Sequence, residues 1–253
     1  MDLFYNSLIL EITNKCTAKC DICYQSAGGV DACNHLNLKV AKRCIREAFQ
    51  LDCLKKRFHL AGGEAFIYPD DCYDLFSYAR KIGYETISCT TNAFWARKLD
   101  HARRMCEMMR KSGLDYVEIS WDYWHYQFVS PDSVNNCIRA CFENEIRPNL
   151  RLLATKRHKM NEVMDLLDPE VIPFVDEISS GAVANVGRAN MVCEKELYKP
   201  LSALNTSCYQ MLNLCVNPKG FVYPCCSGLE VCCDFVNEGC EMVWFHMMND
   251  DIV

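Results

Sequence analysis

The feature that most constrains the fold of this chain is a regular alternation of short apolar segments with longer amphipathic ones. Six segments have the apolar and β-branched composition of strands: residues 8–13, 57–66, 84–92, 115–122, 149–156 and 174–187. Residues with helical spacing follow the first five of them, over residues 38–51, 69–81, 95–113, 130–145 and 159–167. Strands that alternate with helices across short loops form a parallel sheet with the helices outside it. Because six units are too few for an eight-unit barrel, we predict an α/β fold, a partial (β/α)6 TIM-like barrel.

The charge and hydrophobicity of the chain argue against several classes of protein. Its 253 residues include 27 basic and 33 acidic side chains, and the formal charge of −6 gives no general attraction to nucleic acid. No apolar run is long enough to cross a membrane, and the first ten residues lack the basic region and cleavage site of a signal peptide. We therefore expect a cytoplasmic protein without nucleic-acid or membrane partners.

Cysteine is unusually frequent, with 19 residues. An odd number in a chain of this length is not typical of a secreted disulfide scaffold. Several cysteines, such as Cys44, Cys106 and Cys137, lie in predicted helices, where a reduced thiol packs as a small hydrophobic group. The same frequency makes any cysteine motif less specific, so its position in the fold must support it.

Three cysteines with the spacing C-x3-C-x2-C, Cys16, Cys20 and Cys23, directly follow the first predicted strand. Sites in parallel sheets lie at the carboxyl ends of the strands. Ligation by three thiolates suits a [4Fe–4S] cluster with one open iron, whereas structural zinc needs a fourth ligand such as Cys33 or His35. Both kinds of metal site are consistent with the spacing alone.

Other polar residues fall at the same predicted edge of the sheet. Gly62 and Gly63 permit close approach of the backbone to a ligand, and Glu64 can accept a hydrogen bond from an ammonium group. A glycine turn beside a solvated glutamate also fits that sequence. The polar groups after the third and fourth strands suit a ribose or a substrate, although the same residue types cap helices and turns. They belong to Thr91, Asn92, Ser120 and Asp122.

Together these motifs resemble those of the radical S-adenosylmethionine (radical SAM) superfamily. The sequence "CTAKCDIC" is similar to the CxxxCxxC motif of that family, and Gly62-Gly63-Glu64 is similar to its second marker. Gly187-Arg188-Ala189 is similar to a sequence found in members that modify peptides. The resemblance covers residues 7–190.

The resemblance implies a set of cofactor contacts. Cys16, Cys20 and Cys23 would bind a [4Fe–4S] cluster, whose open iron would chelate the amino and carboxylate groups of SAM. Glu64 would accept a hydrogen bond from the SAM ammonium. Tyr24 would lie near the adenine.

Residues 120–128, "SWDYWHYQF", contain five aromatic side chains and a histidine. The aromatic residues form either a substrate wall, if exposed, or a lid over the core, if buried. Asp122, His125 and Phe128 resemble a D-x-x-H-x-x-F run of some peptide-modifying radical SAM proteins. His125 is therefore a candidate catalytic proton carrier, with a structural hydrogen-bonding role as the alternative.

Residues 191–253 predict a small Cys-rich α+β module after a radical SAM core of residues 1–190. Two apolar runs flank residues 217–220, "NPKG", which is a hairpin signal. Cys208 and Cys225 resemble the C-x(9–15)-G-x4-C opening of twitch and SPASM domains, which hold auxiliary [4Fe–4S] clusters; the later part of the SPASM pattern is missing. A zinc ribbon is the alternative. We select Cys226 and Cys233 as further ligands, from a set that also includes Cys193, Cys232 and Cys240.

Cys215 lies in the first strand of this predicted hairpin, too close to Gly220 for the ligand motif. Similar extensions in peptide epimerases use a cysteine to return a hydrogen atom to a peptide radical. Cys215 is thus a candidate catalytic residue. The alternative is a buried strand cysteine that packs as a small hydrophobic group.

The resemblance implies an enzyme that cleaves SAM and uses a 5′-deoxyadenosyl radical to modify a peptide, most simply a ribosomally synthesised one. The outcome is epimerisation, a thioether or a carbon–carbon crosslink. The expected partners are a precursor peptide and a flavodoxin- or ferredoxin-like electron donor. Since no leader-binding domain fits this length, the leader is recognised by this chain or by a separate protein. A radical SAM enzyme acting on a small metabolite and a non-catalytic iron–sulfur or zinc protein are the alternatives.

Overall fold

Strands and helices alternate over the first six strands, as the sequence predicts. The computed structural model describes residues 6–29, 34–51, 54–192, 194–198, 213–223 and 233–236. The strands are β1 (Leu8–Glu11), β2 (Arg57–Ala61), β3 (Thr86–Thr91), β4 (Tyr116–Ser120), β5 (Arg147–Ala154), β6 (Glu177–Ala182), β7 (Leu214–Val216), β8 (Phe221–Tyr223) and β9 (Cys233–Asp234). The α-helices are α1 (Leu38–Phe49), α2 (Pro69–Ile82), α3 (Leu99–Lys111), α4 (Tyr123–Tyr126), α5 (Pro131–Glu143) and α6 (Asn161–Met164).

The described strands form one sheet in the order β6-β5-β4-β3-β2-β1-β7-β8-β9. Strands β1 to β6 are parallel and lie side by side in chain order. The sheet is open, because β1 pairs on its other side with β7 and not with β6. The predicted partial barrel is therefore confirmed. The predicted hairpin is β7–β8, which is antiparallel.

Local sequence signals set the ends of several helices. Asn37 caps α1, since its Oδ1 accepts a hydrogen bond from the Lys39 N–H at 2.9 Å. Helix α2 begins at Pro69 and is followed by Gly83, whose φ of 115° is accessible mainly to glycine. Helix α6 is shorter than predicted, because i→i+3 turns replace it before the Asp168-Pro169 pair. None of the helices described is long and apolar enough to cross a membrane.

The two faces of the sheet differ in polarity. The outer face packs against the helices and carries fully buried apolar residues such as Leu10, Phe58 and Ile87. The opposite face, which we call the inner face, carries polar residues at the alternate positions of the same strands. They include Glu11, His59, Ser88, Thr90, Glu118, Ser120, Asn149 and Arg151. A chemical site can therefore be built from the inner face and from the carboxyl ends of the strands.

Candidate active site

The loop after β1, residues 14–28, contains the three cysteines of the motif and is called the cysteine loop here. Backbone N–H groups of this loop point at two of the sulfurs. Ala18 donates to Cys16 Sγ and Ala27 donates to Cys23 Sγ, each at 3.4 Å. Hydrogen bonds to cysteine sulfur are among the contacts that tune iron–sulfur clusters. Two of the three sulfurs therefore already accept hydrogen bonds from the backbone of the loop.

The three cysteines also belong to one small apolar cluster. Cys20 is buried, and Cys16 and Cys23 are partly exposed and pack against the same small apolar cluster. Within the described part of the chain, no three His, Cys, Asp or Glu side chains converge closely enough to hold a single metal ion. Burial raises the pKa of Cys16 to about 12, and coordination to a metal would favour its deprotonated form.

One ring nitrogen of the alternative zinc ligand His35 is paired with a carboxylate. Its Nε2 lies 2.8 Å from Asp71 Oδ2, and its ring packs against Tyr68 with 4.1 Å between centroids. Cys33 lies outside the described residues. The Nδ1 of His35 is buried and has no hydrogen-bond partner among the described residues, so zinc stays an alternative prediction.

Gly62 and Gly63 pack against the cysteine loop and the residues before it. The Gly63 N–H donates to Thr13 O at 2.6 Å, and the Glu64 N–H donates to Lys15 O at 2.8 Å. A Cβ atom on Gly62 would lie 2.8 Å from Thr13 O, and one on Gly63 would lie 2.2 Å from Lys15 O. The sequence predicts that these glycines let a ligand approach. The structure shows that they let another segment of the chain approach.

The Glu64 side chain is 1% exposed and lies between the ends of β2 and β3. Its Oε1 accepts hydrogen bonds from the Thr91 hydroxyl at 2.9 Å and the Phe66 N–H at 3.2 Å, and Oε2 accepts from the Asn92 N–H at 2.7 Å. Burial raises the pKa of Glu64 to about 7 although these bonds oppose the rise. The alternative of a solvated turn residue is wrong, because this carboxylate ties two strand ends together.

The Thr91 hydroxyl is fully used inside the protein. It donates to Glu64 and accepts from the Ala93 N–H and the Trp95 Nε1–H, both at 3.0 Å. One donor and two acceptor positions are all that a hydroxyl offers. Thr91 therefore has no hydrogen bond left for a ribose or a substrate, and it acts as the capping residue that the sequence also allows.

Asn92 connects the end of β3 to the cysteine loop. Its Nδ2 donates to Thr17 Oγ1 at 3.1 Å and lies 3.8 Å from Cys16 Sγ. Its Oδ1 accepts from the Phe94 N–H at 3.0 Å. An amide donor is thereby placed beside one of the three candidate ligand sulfurs.

Asp122 caps α4 and pairs with His125. Its Oδ1 accepts from the N–H groups of Trp124 and His125, both at 3.1 Å, and lies 2.8 Å from His125 Nδ1. Burial lowers the pKa of His125, but the Asp122 carboxylate and the Cys20 thiol outweigh burial, so the pKa is raised. The pair thus holds the imidazole next to Cys20. A role for His125 as proton carrier stays a prediction.

The aromatic residues of the segment 120–128 divide between a lid and an exposed surface. Trp121 is fully buried and donates its Nε1–H to Val163 O at 3.0 Å, and Trp124 is buried against the cysteine loop. Tyr126 and Phe128 are each 43% exposed. The lid interpretation therefore holds for the tryptophans, whereas Tyr126 and Phe128 are available for a wall.

Tyr24 and Ser120 keep partly exposed side chains at this edge. The Tyr24 hydroxyl donates to Glu11 Oε1 at 2.9 Å, and its side chain is 41% exposed. Burial raises the pKa of Glu11. Ser120 ends β4 on the inner face, in register with Arg151. Their contacts with adenine, ribose or substrate stay predictions.

The sequence reasoning missed a polar network on the inner face. His59 Nδ1 and Nε2 lie 2.8 Å from Ser88 Oγ and Thr90 Oγ1, and burial lowers the pKa of His59 to about 4. The Thr90 hydroxyl donates to Glu118 at 3.5 Å, and burial raises the pKa of that carboxyl. Asn149, in register with Glu118, has a buried Oδ1 without a partner among the described residues. The polar residues that alternate with apolar ones in these strands were the available signal.

Cys215 lies on the inner face, in strand β7, which pairs with the first strand of the partial barrel. It is in register with Ile9 of β1, is 1% exposed, and packs with Ile9, Ala61 and Tyr223. Its thiol donates to Asn213 O at 3.7 Å. Registered residues on neighbouring parallel strands point to the same face, so the thiol belongs to the surface that lines the barrel. A catalytic role stays a prediction.

The candidate auxiliary ligands cannot be placed together. Cys208, Cys225 and Cys226 lie outside the described residues, and only the backbone of Cys233 is described, in β9. The auxiliary cluster and the division into residues 1–190 and 191–253 therefore stay predictions.

Comparisons with known proteins agree with this geometry. Residues 10–167 match the Radical SAM superfamily. The chain is 23% identical over 235 residues to the putative peptide biosynthesis protein YydG of Bacillus subtilis (strain 168). The aligned residues cover 88% of this chain and 70% of that protein. It is 25% identical over 177 residues to the Fe-coproporphyrin III synthase of Methanosarcina barkeri (strain Fusaro / DSM 804), which covers 66% of this chain and 42% of that protein.

Solved structures show the same fold. Native anSMEcpe with bound AdoMet (SAM) has a TM-score of 0.65 at 14% identity, with 94% of this chain and 80% of that chain covered. The same protein with bound AdoMet and the Cp18Cys peptide has a TM-score of 0.63.

The family match spans more than half of the chain. It includes the cysteine loop, the Gly62-Gly63-Glu64 turn and the strand ends around them. This chain therefore belongs to the Radical SAM superfamily.

Proposed function

We propose that this chain is a radical SAM enzyme that modifies a peptide, most simply a ribosomally synthesised one. The observation that carries the proposal is the similarity to YydG, named as a putative peptide biosynthesis protein, over 88% of the chain. The similar fold of anSMEcpe with a bound peptide supports it.

Membership of the family implies a [4Fe–4S] cluster and SAM, and the cysteine loop fits the cluster. Cys16, Cys20 and Cys23 would hold it, because all three belong to one small apolar cluster and N–H groups donate to two of the sulfurs. When bound, the cluster and SAM supply a 5′-deoxyadenosyl radical that abstracts a hydrogen atom from an unactivated carbon.

The surrounding residues would position the loop and the substrate. Glu64 and Asn92 hold the ends of β2 and β3 against the cysteine loop, and Asp122 holds α4 beside Cys20. In this proposal Gly62, Gly63, Glu64, Thr91, Asn92 and Asp122 shape the SAM site by positioning it. Tyr24 and Ser120 would contact SAM or the substrate directly.

A pocket near the ends of β3 and β4 gives a place for a peptide side chain. Its volume is about 350 Å³, and it is lined by Phe94, Arg97, Phe128, Val129, Ser130 and Ser133. Arginine is one of the residue types enriched at the hot spots of protein interfaces. In this proposal the pocket is a candidate site for one side chain of the peptide.

The outcome that we propose is epimerisation at a peptide Cα, and the position of Cys215 on the inner face supports it. After hydrogen abstraction from one face, the Cys215 thiol would return a hydrogen atom to the other face. A C–H bond forms, the S–H bond breaks, and a thiyl radical remains on Cys215. One electron from a flavodoxin- or ferredoxin-like donor, together with a proton, restores the thiol.

The experiment uses anaerobically reconstituted protein with SAM, dithionite and candidate precursor peptides in deuterated water. Epimerisation predicts one deuterium per modified residue, whereas a thioether or a crosslink predicts the loss of two hydrogen atoms. An unmodified peptide, with 5′-deoxyadenosine released at the same rate with and without it, would contradict the peptide proposal. Cys16→Ala is the control, and absence of 5′-deoxyadenosine from the wild type would favour a non-catalytic protein.

A small metabolite is the second candidate substrate, because the chain is also similar to Fe-coproporphyrin III synthase. Turnover of a metabolite fraction in the absence of peptide would favour it. A separate leader-binding protein is proposed only for the peptide case, and addition of such a protein should then lower the KM for the precursor.

A further inference from the structure

Arg188, which follows β6, reaches across to the cysteine loop. Its backbone N–H donates to Cys23 O at 3.0 Å, and its Nε–H donates to Cys20 O at 2.9 Å. Its Nη1–H donates to Ala27 O at 2.5 Å. One residue thus holds three carbonyls of the loop, and two of them belong to candidate cluster ligands.

The backbone before Arg188 is shaped for this contact. Gly187 has a φ of 59°, and a Cβ atom there would lie 2.2 Å from Tyr24 O and 2.5 Å from Cys23 O. Such distances to backbone oxygens leave no room for a side chain. Gly187 therefore allows the chain after β6 to approach the loop closely enough for Arg188 to bind it.

The third guanidinium nitrogen of Arg188 is unpartnered within the described part of the chain. Its Nη2 is buried and has no hydrogen-bond partner among the described residues. In that part of the chain Arg188 also forms no ion pair with a carboxylate. A buried guanidinium donor without an acceptor is costly, so an anionic group is expected beside it.

We propose that Arg188 is a positioning residue for the iron–sulfur cluster, and that its Nη2–H donates to a sulfur of that cluster. A four-iron core of charge +2 with three thiolates carries a net charge of −1, and one-electron reduction makes it −2. A guanidinium cation beside the cluster stabilises the reduced state more than the oxidised state. The inference rests on the cluster that the family implies and does not depend on the identity of the substrate.

The test compares the reconstituted wild type, Arg188→Gln and Arg188→Lys without SAM or peptide. Iron content after exposure to a chelator reports how firmly the loop holds the cluster, and a potentiometric titration followed by EPR reports its reduction. Arg157→Gln is the matched control, because Arg157 lies in the loop after β5, is 69% exposed and contacts Glu196.

For Arg188→Gln we expect faster loss of iron and a cluster at least tenfold harder to reduce, which for one electron is a shift of 59 mV to more negative potential. Arg188→Lys keeps the charge but cannot span Cys20 O and Ala27 O. Its reduction potential should stay within 59 mV of the wild-type value, and it should still lose iron faster than the wild type. Arg157→Gln should match the wild type in both measurements.

An Arg188→Gln cluster with the wild-type potential and EPR spectrum would overturn the proposal, because a merely structural residue changes iron retention alone. If Arg188→Gln does not fold, Arg188→Lys carries the test. Iron retention equal to that of the wild type in Arg188→Lys would then show that the fork of donors is not needed, and would also overturn it. Neither measurement uses substrate, so its failure is distinct from failure of the peptide proposal.

Discussion

Gly63→Ala should detach the cysteine loop from the end of β2. The new Cβ would lie 2.2 Å from Lys15 O and 2.7 Å from Lys15 C, both backbone atoms that cannot rotate away. The loop must move, and the hydrogen bonds from Gly63 N to Thr13 O at 2.6 Å and from Glu64 N to Lys15 O at 2.8 Å must lengthen or break. Gly63 has no positive φ, so the effect is steric and does not come from backbone strain.

The magnitude follows from these contacts. Overpacking in a tight site costs about 1–3 kcal/mol. Two backbone hydrogen bonds contribute about 1 kcal/mol each in net terms. The free energy of unfolding should therefore fall by about 3–5 kcal/mol, a large part of the ~5–15 kcal/mol of a typical protein.

Urea unfolding of the reduced apoprotein, followed by circular dichroism, measures the loss, and iron content after reconstitution measures its effect on the site. Gly29→Ala is the matched control, since a Cβ there meets nothing closer than Ser26 O at 3.9 Å. Unfolding free energy and iron content of Gly63→Ala equal to those of Gly29→Ala would refute the reasoning.

Three further predictions concern the site. Cys16→Ala, Cys20→Ala and Cys23→Ala should each remain folded but lose the cluster absorbance and 5′-deoxyadenosine formation, because an open-iron cluster needs all three thiolates. Glu64 has a pKa of about 7 in the folded protein, above its ordinary value of 4.5. The protonated carboxyl therefore adds about 3 kcal/mol to the free energy of unfolding below pH 4.5, and this contribution is lost as the pH rises through 7. Glu64→Gln should remove this part of the pH dependence in urea unfolding. Cys215→Ala should abolish deuterium incorporation at the peptide Cα while SAM cleavage continues.

Each of these has a contrary outcome. Wild-type 5′-deoxyadenosine formation by any of the three cysteine variants would remove that residue from the ligand set. Parallel curves of unfolding free energy against pH for the wild type and Glu64→Gln would show that the pKa of Glu64 is not raised in the folded protein. Unchanged labelling in Cys215→Ala would show that another donor returns the hydrogen atom and would make Cys215 a core residue.

The sequence by itself determined the order of the elements and the position of the three cysteines. Strand and helix periodicities, together with end signals such as Asn37, Pro69 and Gly83, depend on residues within a few positions of each other. The hairpin turn of residues 217–220 is local in the same sense. The cysteine site could be located because the chain order places the motif directly after β1, where parallel strands present their carboxyl ends.

The tertiary structure alone decided what the residues around the cysteines contact. Gly63 must be small because of Lys15, Glu64 is buried by Thr91 and Asn92, and Arg188 binds a loop 168 residues earlier in the chain. A solvated glutamate and a buried glutamate that links two strand ends have the same local sequence. Their difference is the desolvation and hydrogen bonding supplied by segments that meet only after the sheet has formed.

The placement of Cys215 has the same origin. The local sequence of β7 predicts only a hairpin strand. It pairs with β1, 206 residues earlier, because the barrel is open beside β1, and this pairing turns the Cys215 thiol toward the inner face. An unpaired strand edge accepts a partner through backbone groups that every residue carries. Which segment occupies that edge is therefore set by the packing of the whole sheet, and no local pattern of side chains encodes it.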